Sequence, residues 1–348
     1  MQVGIAANIA SGADAEFVRE AERIGATSVW VAETWGQDAL TQLAYLAART
    51  ERIQLGSAIA QLGARTPAML AMSAMSLQQL SGGRFRLGVG TSGPQVMEGW
   101  HGVRFSSPLS VTRETIQIIR AVAAGERLRH AGEIFQLPLP DGPGRSLRSN
   151  LPPTPVPIYV ASLGPRNLKL TGELADGWIG NTFIPEQADV FLAPLRAGAK
   201  VAQRSLADLD LVIPVSVEIS DSPEQAAQTA RMHARGYAFT IGAMGSKDQN
   251  FYKAAFARQG YAEDVEAVQN LWLAGLRDEA RERVPVQLGN LTNLIGTPEM
   301  IRTRLRLYRE AGITTLQAKL AGTESERLDA LAQLVDLVAE VNNETKPA

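Results

Sequence analysis

The chain has no cysteine, which removes disulfides, thiolate metal sites and cysteine nucleophiles from consideration. Histidine is nearly as scarce. Only His101, His130 and His233 occur, too widely spaced for a His-x-x-x-His pair, so a metal centre would rest on carboxylates alone and none is expected. Neither sign of charge is in excess. With 34 basic and 36 acidic residues the formal net charge is −2, which leaves no footprint for nucleic acid, and no basic amphipathic segment points to a membrane surface. Small neutral molecules, or anions held locally, suit such a chain better. No hydrophobic run approaches membrane-spanning length, and the first residues enter an apolar strand without a basic leader, so a cytoplasmic location is expected.

Against these absences stands a regular alternation of short apolar runs with amphipathic stretches. Residues 53–99 show it most densely. The run 53–59 is apolar and bounded by polar or glycine positions, as for a strand buried on both faces. Thr66-Pro67 then supplies an N-cap hydroxyl with proline at the first helical position, and Gly82-Gly83 ends that helix. Residues 85–90 read as the next strand and exit through Gly90-Thr91-Ser92-Gly93, where a bound group can approach bare backbone. Further strands are expected at 3–7, 28–32, 158–161, after the turn 175–177, at 209–219 and at 314–319. Helices fall between them, starting near 14, 39, 111 and 297, and a last one opens with the capping box Thr323-Glu324-Ser325-Glu326. Two stretches interrupt the pattern: the glycine- and proline-rich 129–157 and the mostly helical 236–285.

Eight strands with helical crossovers imply a (β/α)8 TIM barrel with insertions, a single domain over 1–348, because parallel strands need long connections and the helices then cover the outer face. A doubly wound open sheet, or two domains, is the alternative. In a barrel the chemistry sits where the strands end. The exits are Asn8, 33–35, 57–61, 90–93, 161–167, Asn181, Glu218 and Lys319. Glu33, Thr34 and Trp35 bring a carboxylate, a hydroxyl and an indole to one exit, for a general acid or a cofactor anchor, although a helix cap beside a packed aromatic gives the same pattern. Ala161-Ser162-Leu163-Gly164-Pro165-Arg166-Asn167 brings N–H groups and an arginine to a helix start, which suits phosphate; Gly-Pro by itself would also simply begin the helix. His101, in Trp100-His101-Gly102, is the histidine placed to reach a barrel mouth, either as a substrate contact or as a solvated loop residue. The loop 242–252 suits a lid or a plain surface loop. His130 and His233 are assigned to surface or helix faces.

Leu55-Gly56-Ser57-Ala58-Ile59, Leu80-Ser81-Gly82-Gly83-Arg84, Leu87-Gly88-Val89-Gly90-Thr91, Ile158-Tyr159-Val160-Ala161 with Gly164-Pro165, and Ala175-Asp176-Gly177 occur in the order seen in the luciferase-like monooxygenase superfamily. The resemblance spans nearly the whole chain. Within that superfamily the chain most resembles the coenzyme F420-dependent oxidoreductases of the methylenetetrahydromethanopterin reductase-like kind, and 92–102 and 245–252 are similar to uncharacterised mycobacterial-type members.

This resemblance implies a deazaflavin enzyme, with FMN as the alternative cofactor. It implies a non-proline cis peptide at Ala58-Ile59, with Ile59 against the back of the ring. The implied cofactor contacts fall on Ser57, Ala58, Ile59, Gln61, Gly90, Thr91, Ser92, Ala161, Ser162, Leu163, Gly164, Pro165, Arg166 and Asn167. Of these, Thr91, Ser92, Leu163, Gly164, Arg166 and Asn167 would hold the phosphate-bearing tail. Glu33, with Thr34, is the catalytic candidate near the ring, and Trp35, Gln95, Trp100 and His101 are the candidate substrate contacts. The glucose-6-phosphate dehydrogenase branch has a histidine where this chain has Thr34 and a glutamate where it has Gly93, so sugar-phosphate oxidation is not expected. The luciferase branch uses a histidine at Thr34 and a nearby cysteine, so light emission is not expected either. The implied reaction is hydride transfer between C5 of F420 and an electrophilic C=N, C=C or C=O carbon of a small organic substrate. An FMN-dependent monooxygenase and a non-catalytic flavin- or deazaflavin-binding protein are the alternatives. Outward apolar positions on the helices after strands one and two are compatible with a homodimer, and burial within one chain explains them equally well.

Overall fold

The computed structural model describes residues 1–245 and 249–344; Ser246, Lys247 and Asp248, within the expected lid loop, lie outside the described residues. Eight parallel strands close on themselves: Gln2–Ala7 (β1), Ser28–Val31 (β2), Gln54–Ser57 (β3), Phe85–Gly90 (β4), Ile158–Ala161 (β5), Gly177–Ile179 (β6), Asp210–Ile219 (β7) and Thr315–Leu320 (β8). Each pairs with the next, and β8 returns to β1 through Gln2 opposite Thr315. A closed ring excludes the open doubly wound sheet. Helices pack outside it with signals visible in the chain, such as the Thr66 side chain capping Pro67–Leu80 and the Thr323–Glu326 capping box opening Glu324–Asn343.

Strand three differs from the continuous run read at 53–59. Pairing with β2 stops at Ser57 and resumes against β4 only at Ala60–Gln61, so Ala58 and Ile59 stand out of the ladder. Ser57 Oγ fills the gap, accepting from the Gly88 N–H at 3.0 Å and donating to the Gly88 carbonyl at 2.8 Å. The Ala58–Ile59 peptide bond is cis. Apolarity alone does not reveal such a break, because the residues on both sides of it are equally buried.

Two other departures concern the interruptions. A ninth short parallel strand, Leu294–Gly296, lies beside the end of β7; three residues are too few to show a period. The helical insertion starts earlier than 236, with Pro223–Ala243, and runs to Gln287–Leu291. It has its own apolar cluster, including Ala238, Ile241, Phe256, Val265 and Leu288, seated on Ile184 of the barrel. The 129–157 excursion carries a small antiparallel pair, His130–Ala131 with Gln136–Leu137. It is tied down by the buried Glu114 carboxylate, which accepts from the backbone N–H groups of Glu133, Ile134 and Phe135. Burial opposes that charge, but the three N–H donors outweigh it and hold the carboxyl below its ordinary pKa.

Inside the ring an aromatic plug closes the lower half. Trp30 and Tyr159 meet edge-to-face with centroids 5.4 Å apart, packed with Ile179 and Val212. Trp30 Nε1 donates to Ser28 Oγ at 2.9 Å, and the Tyr159 hydroxyl donates to Asp210 Oδ2 at 3.0 Å. Burial, then the adjacent Asp210 carboxylate, pushes the Tyr159 phenol well above its usual pKa, so it stays a donor. Glycine is required opposite the ring: a Cβ at Gly56 would lie 2.2 Å from Trp30 Cε3. Gly56→Ala is therefore expected to destabilise the fold by about 1–3 kcal/mol, read as a lower urea midpoint; an unchanged midpoint would show that the indole has room to move.

Candidate active site

Above the plug, the floor of the barrel mouth is built from small or apolar groups. Ala58, Ile59 and Ala161 pack on the Trp30–Tyr159 cluster. At Gly90 a Cβ would stand 3.0 Å from Ile59 Cδ1 and 3.5 Å from the Ala161 Cβ, so the glycine leaves the floor low and flat. The chain leaves β4 through Thr91 and Ser92, both half-buried, and Ser92 holds a left-handed backbone at φ +57°. Thr182, beyond β6, does the same at φ +52°. Non-glycine residues rarely occupy that region, and they gather at sites where surrounding structure imposes it.

The β5 exit turns into helix Pro165–Leu174 through Gly164, which caps it without a side chain, so the first-turn N–H groups are free to meet a ligand. Asn167 Oδ1 is buried beside them with no hydrogen-bond partner among the described residues. The Leu163 carbonyl accepts from Arg258 Nη2 at 2.6 Å, which joins the helical insertion to this loop. Ser162 belongs to the scaffold: its hydroxyl shares a 2.8 Å hydrogen bond with Thr171, and its carbonyl accepts from Trp178 Nε1. Arg166 lines a cavity of about 400 Å³ between the outer helices, with Arg113 and Lys169. Ser57 likewise spends its side chain within the wall, on Gly88.

At the β2 exit, Glu33 is the centre of a network. Its Oε1 accepts from the Gln61 N–H at 3.1 Å and Arg65 Nη1 at 2.9 Å, and its Oε2 from Arg65 Nη2 at 2.7 Å and the Ala39 N–H at 3.3 Å. Arg65 also pairs with Asp38, the N-cap of Ala39–Ala47. The Glu33 contact raises the Arg65 pKa further. Burial opposes the Asp38 carboxylate, but the Thr41 hydroxyl and N–H, with Arg65, hold it below its ordinary pKa. The Gln61 side-chain nitrogen donates to the carbonyls of Glu33 at 3.2 Å and Thr34 at 2.8 Å, and its oxygen stands 3.0 Å from His101 Nε2.

The structure thus brings Glu33, Gln61, Ile59, Gly90, Ala161 and His101 to one mouth. Thr34 is exposed there, and Trp35 and Trp100 are 57% and 64% exposed on its rim, with Gln95 exposed beside them. The Lys319 side chain, near the end of β8, makes no hydrogen bond or ion pair among the described residues. Sequence reading passed over Arg65 and Arg258. Arg65 had one available signal, since a carboxylate leaving a strand needs a cation once buried; Arg258 sits in an amphipathic helical stretch that marks nothing. Among the described residues, no group of three or more acidic or histidine side chains is placed to hold a metal, and no helix is long and apolar enough to cross a membrane.

The family profile for luciferase-like monooxygenases matches residues 6–315. The chain belongs to that family. It is 37% identical over 322 residues to the putative coenzyme F420-dependent oxidoreductase Rv3520c of Mycobacterium tuberculosis, covering 90% of this chain and 92% of that one. It is 27% identical to the 5,10-methylenetetrahydromethanopterin reductase of Archaeoglobus fulgidus, with 87% of each chain covered. The fold is also that of the coenzyme F420-dependent tetrahydromethanopterin reductase from Methanopyrus kandleri, at a TM-score of 0.78, 20% identity and 98% and 99% coverage of the two chains.

Proposed function

We propose that this protein is an F420-dependent oxidoreductase that moves a hydride between C5 of the deazaflavin and an electrophilic carbon of a small organic substrate. The observation that carries this reading is the juxtaposition of a low apolar floor at Ile59, Gly90 and Ala161 with an uncapped helix start at Gly164. A planar ring suits the first and a phosphate the second. The relative covering nine-tenths of the chain is named for F420, which favours that cofactor over FMN.

Bound F420 would supply the hydride; the chain supplies position. Ile59 and Ala161 would support the ring, and the N–H groups of Arg166 and Asn167, beside an Asn167 Oδ1 unpaired among the described residues, would meet the tail. Glu33 is a positioning residue. Both its oxygens are held by N–H donors and by both arms of Arg65, so it keeps the loop of Gln61 in place rather than delivering a proton.

Titration with F420 and separately with FMN, followed by tryptophan fluorescence, tests the reading. Trp30 lies directly beneath the floor, so quenching is expected on binding. F420 is expected to bind at least about tenfold more tightly than FMN, a difference of ~1.4 kcal/mol. Preference for FMN would overturn the assignment.

A further inference from the structure

His101 was open as a solvated loop residue or a substrate contact, and the structure shows that its ring is held from one side. The holder has little freedom. Gln61 Nε2 donates to two backbone carbonyls, those of Glu33 and Thr34, so a flipped amide would set its oxygen against both. The Gln61 N–H is in turn fixed on Glu33, which Arg65 grips with two parallel hydrogen bonds. Gln61 Oε1 therefore faces His101 Nε2 as an acceptor, and Nε2 must carry the hydrogen. His101 Nδ1 makes no hydrogen bond among the described residues, and the ring is half-buried at the mouth.

We propose that Gln61 locks His101 in the Nε2–H tautomer and so presents Nδ1 at the mouth as the atom that gives or takes the proton accompanying hydride transfer. This rests on the F420 reading. In the reducing direction the hydride forms a new C–H bond, and the C=X π pair moves to X, which takes the proton from Nδ1–H of the imidazolium. The substrate gains two electrons, the cofactor loses two, and solvent restores the proton. In the reverse direction neutral Nδ1 accepts the X–H proton. Gln61 Oε1 accepts from Nε2–H in both charge states, so the ring need not turn between them. His130 and His233 are tied instead to carboxylates, Glu114 and Glu218, at 3.3 and 3.5 Å.

With three histidines in the chain, long-range ¹H–¹⁵N spectra of the labelled protein in mildly alkaline buffer test the lock without cofactor, His101→Gln assigning its signals by their loss. Protonated Nε2 and unprotonated Nδ1 are expected for His101. Gln61→Met removes the acceptor beneath Nε2 and should mix the tautomers; circular dichroism checks that the variant is folded. An Nδ1–H signal in the parent, or an unchanged pattern in folded Gln61→Met, overturns the lock. For the proton, 2-cyclohexen-1-one and acetone serve as probe electrophiles with reduced F420. His101→Gln should lower kcat by at least about 100-fold, with F420 affinity unchanged. Parental kcat in that variant overturns the role of His101. Failure of the parent to bind F420 would instead defeat the cofactor reading, while the tautomer spectrum still decides the lock.

Discussion

Arg65→Ala is expected to cost about 3–5 kcal/mol of stability, the range for breaking a buried ion pair from one side. The Glu33 side chain is only 8% exposed and that of Arg65 19%, so this pair is shielded far more than a surface bridge. Without Arg65, Glu33 keeps only the Gln61 and Ala39 N–H groups, and the Asp38 carboxylate nearby loses the cation between them. Uncompensated charge, more than lost attraction, makes the effect large. Arg65→Lys should recover only part, because one ammonium cannot serve both Glu33 oxygens and Asp38 together. Urea unfolding of the three proteins checks this. A loss below about 1 kcal/mol would place the pair among solvent-screened bridges and remove Glu33 as an anchor for Gln61.

Gly90→Leu is expected to weaken F420 binding by at least about 100-fold, or ~2.7 kcal/mol, in a protein that remains folded. A Cβ here already sits at 3.0 Å from Ile59, so the rest of a leucine has nowhere to go but up into the space assigned to the ring. Gly90→Ala should show a smaller loss, since Ile59 need give only a few tenths of an ångström. Fluorescence titration reads the affinity and far-ultraviolet dichroism the fold. Undiminished binding by folded Gly90→Leu would show that the ring does not lie on this floor.

The parts of the molecule legible in advance are those whose causes are local. The strand at 85–90 and the one at 158–161 agree with β4 and β5 residue for residue, because turn-forming residues bound them and their alternate side chains pack outward. Thr66-Pro67 and Thr323-Glu324-Ser325-Glu326 start helices as read, since a cap needs only its neighbours. The break after Ser57 was invisible to apolar pattern and entered only through family resemblance. At the break the Ser57 hydroxyl bridges to Gly88, a residue 31 positions away that no local pattern brings near. Leu294–Gly296 is a strand only because the end of β7 offers it a free edge.

For the site the division follows the same physics. The chain by itself determined which residues leave the strands and that its chemistry would be done without cysteine, because composition and strand order do not depend on packing. Only the tertiary structure decided what those residues do. Glu33 read as a candidate acid or cofactor anchor, and its carboxylate is held by Arg65; Ser57 and Ser162 read as cofactor contacts, and their hydroxyls bond within the wall; His101 read as a substrate contact or a solvated loop residue, and it meets Gln61. The partners of Glu33, Ser57 and His101 lie 31 to 40 positions away and are brought near by the packing of successive strands, whereas that of Ser162 lies nine positions on, in the helix that follows its strand.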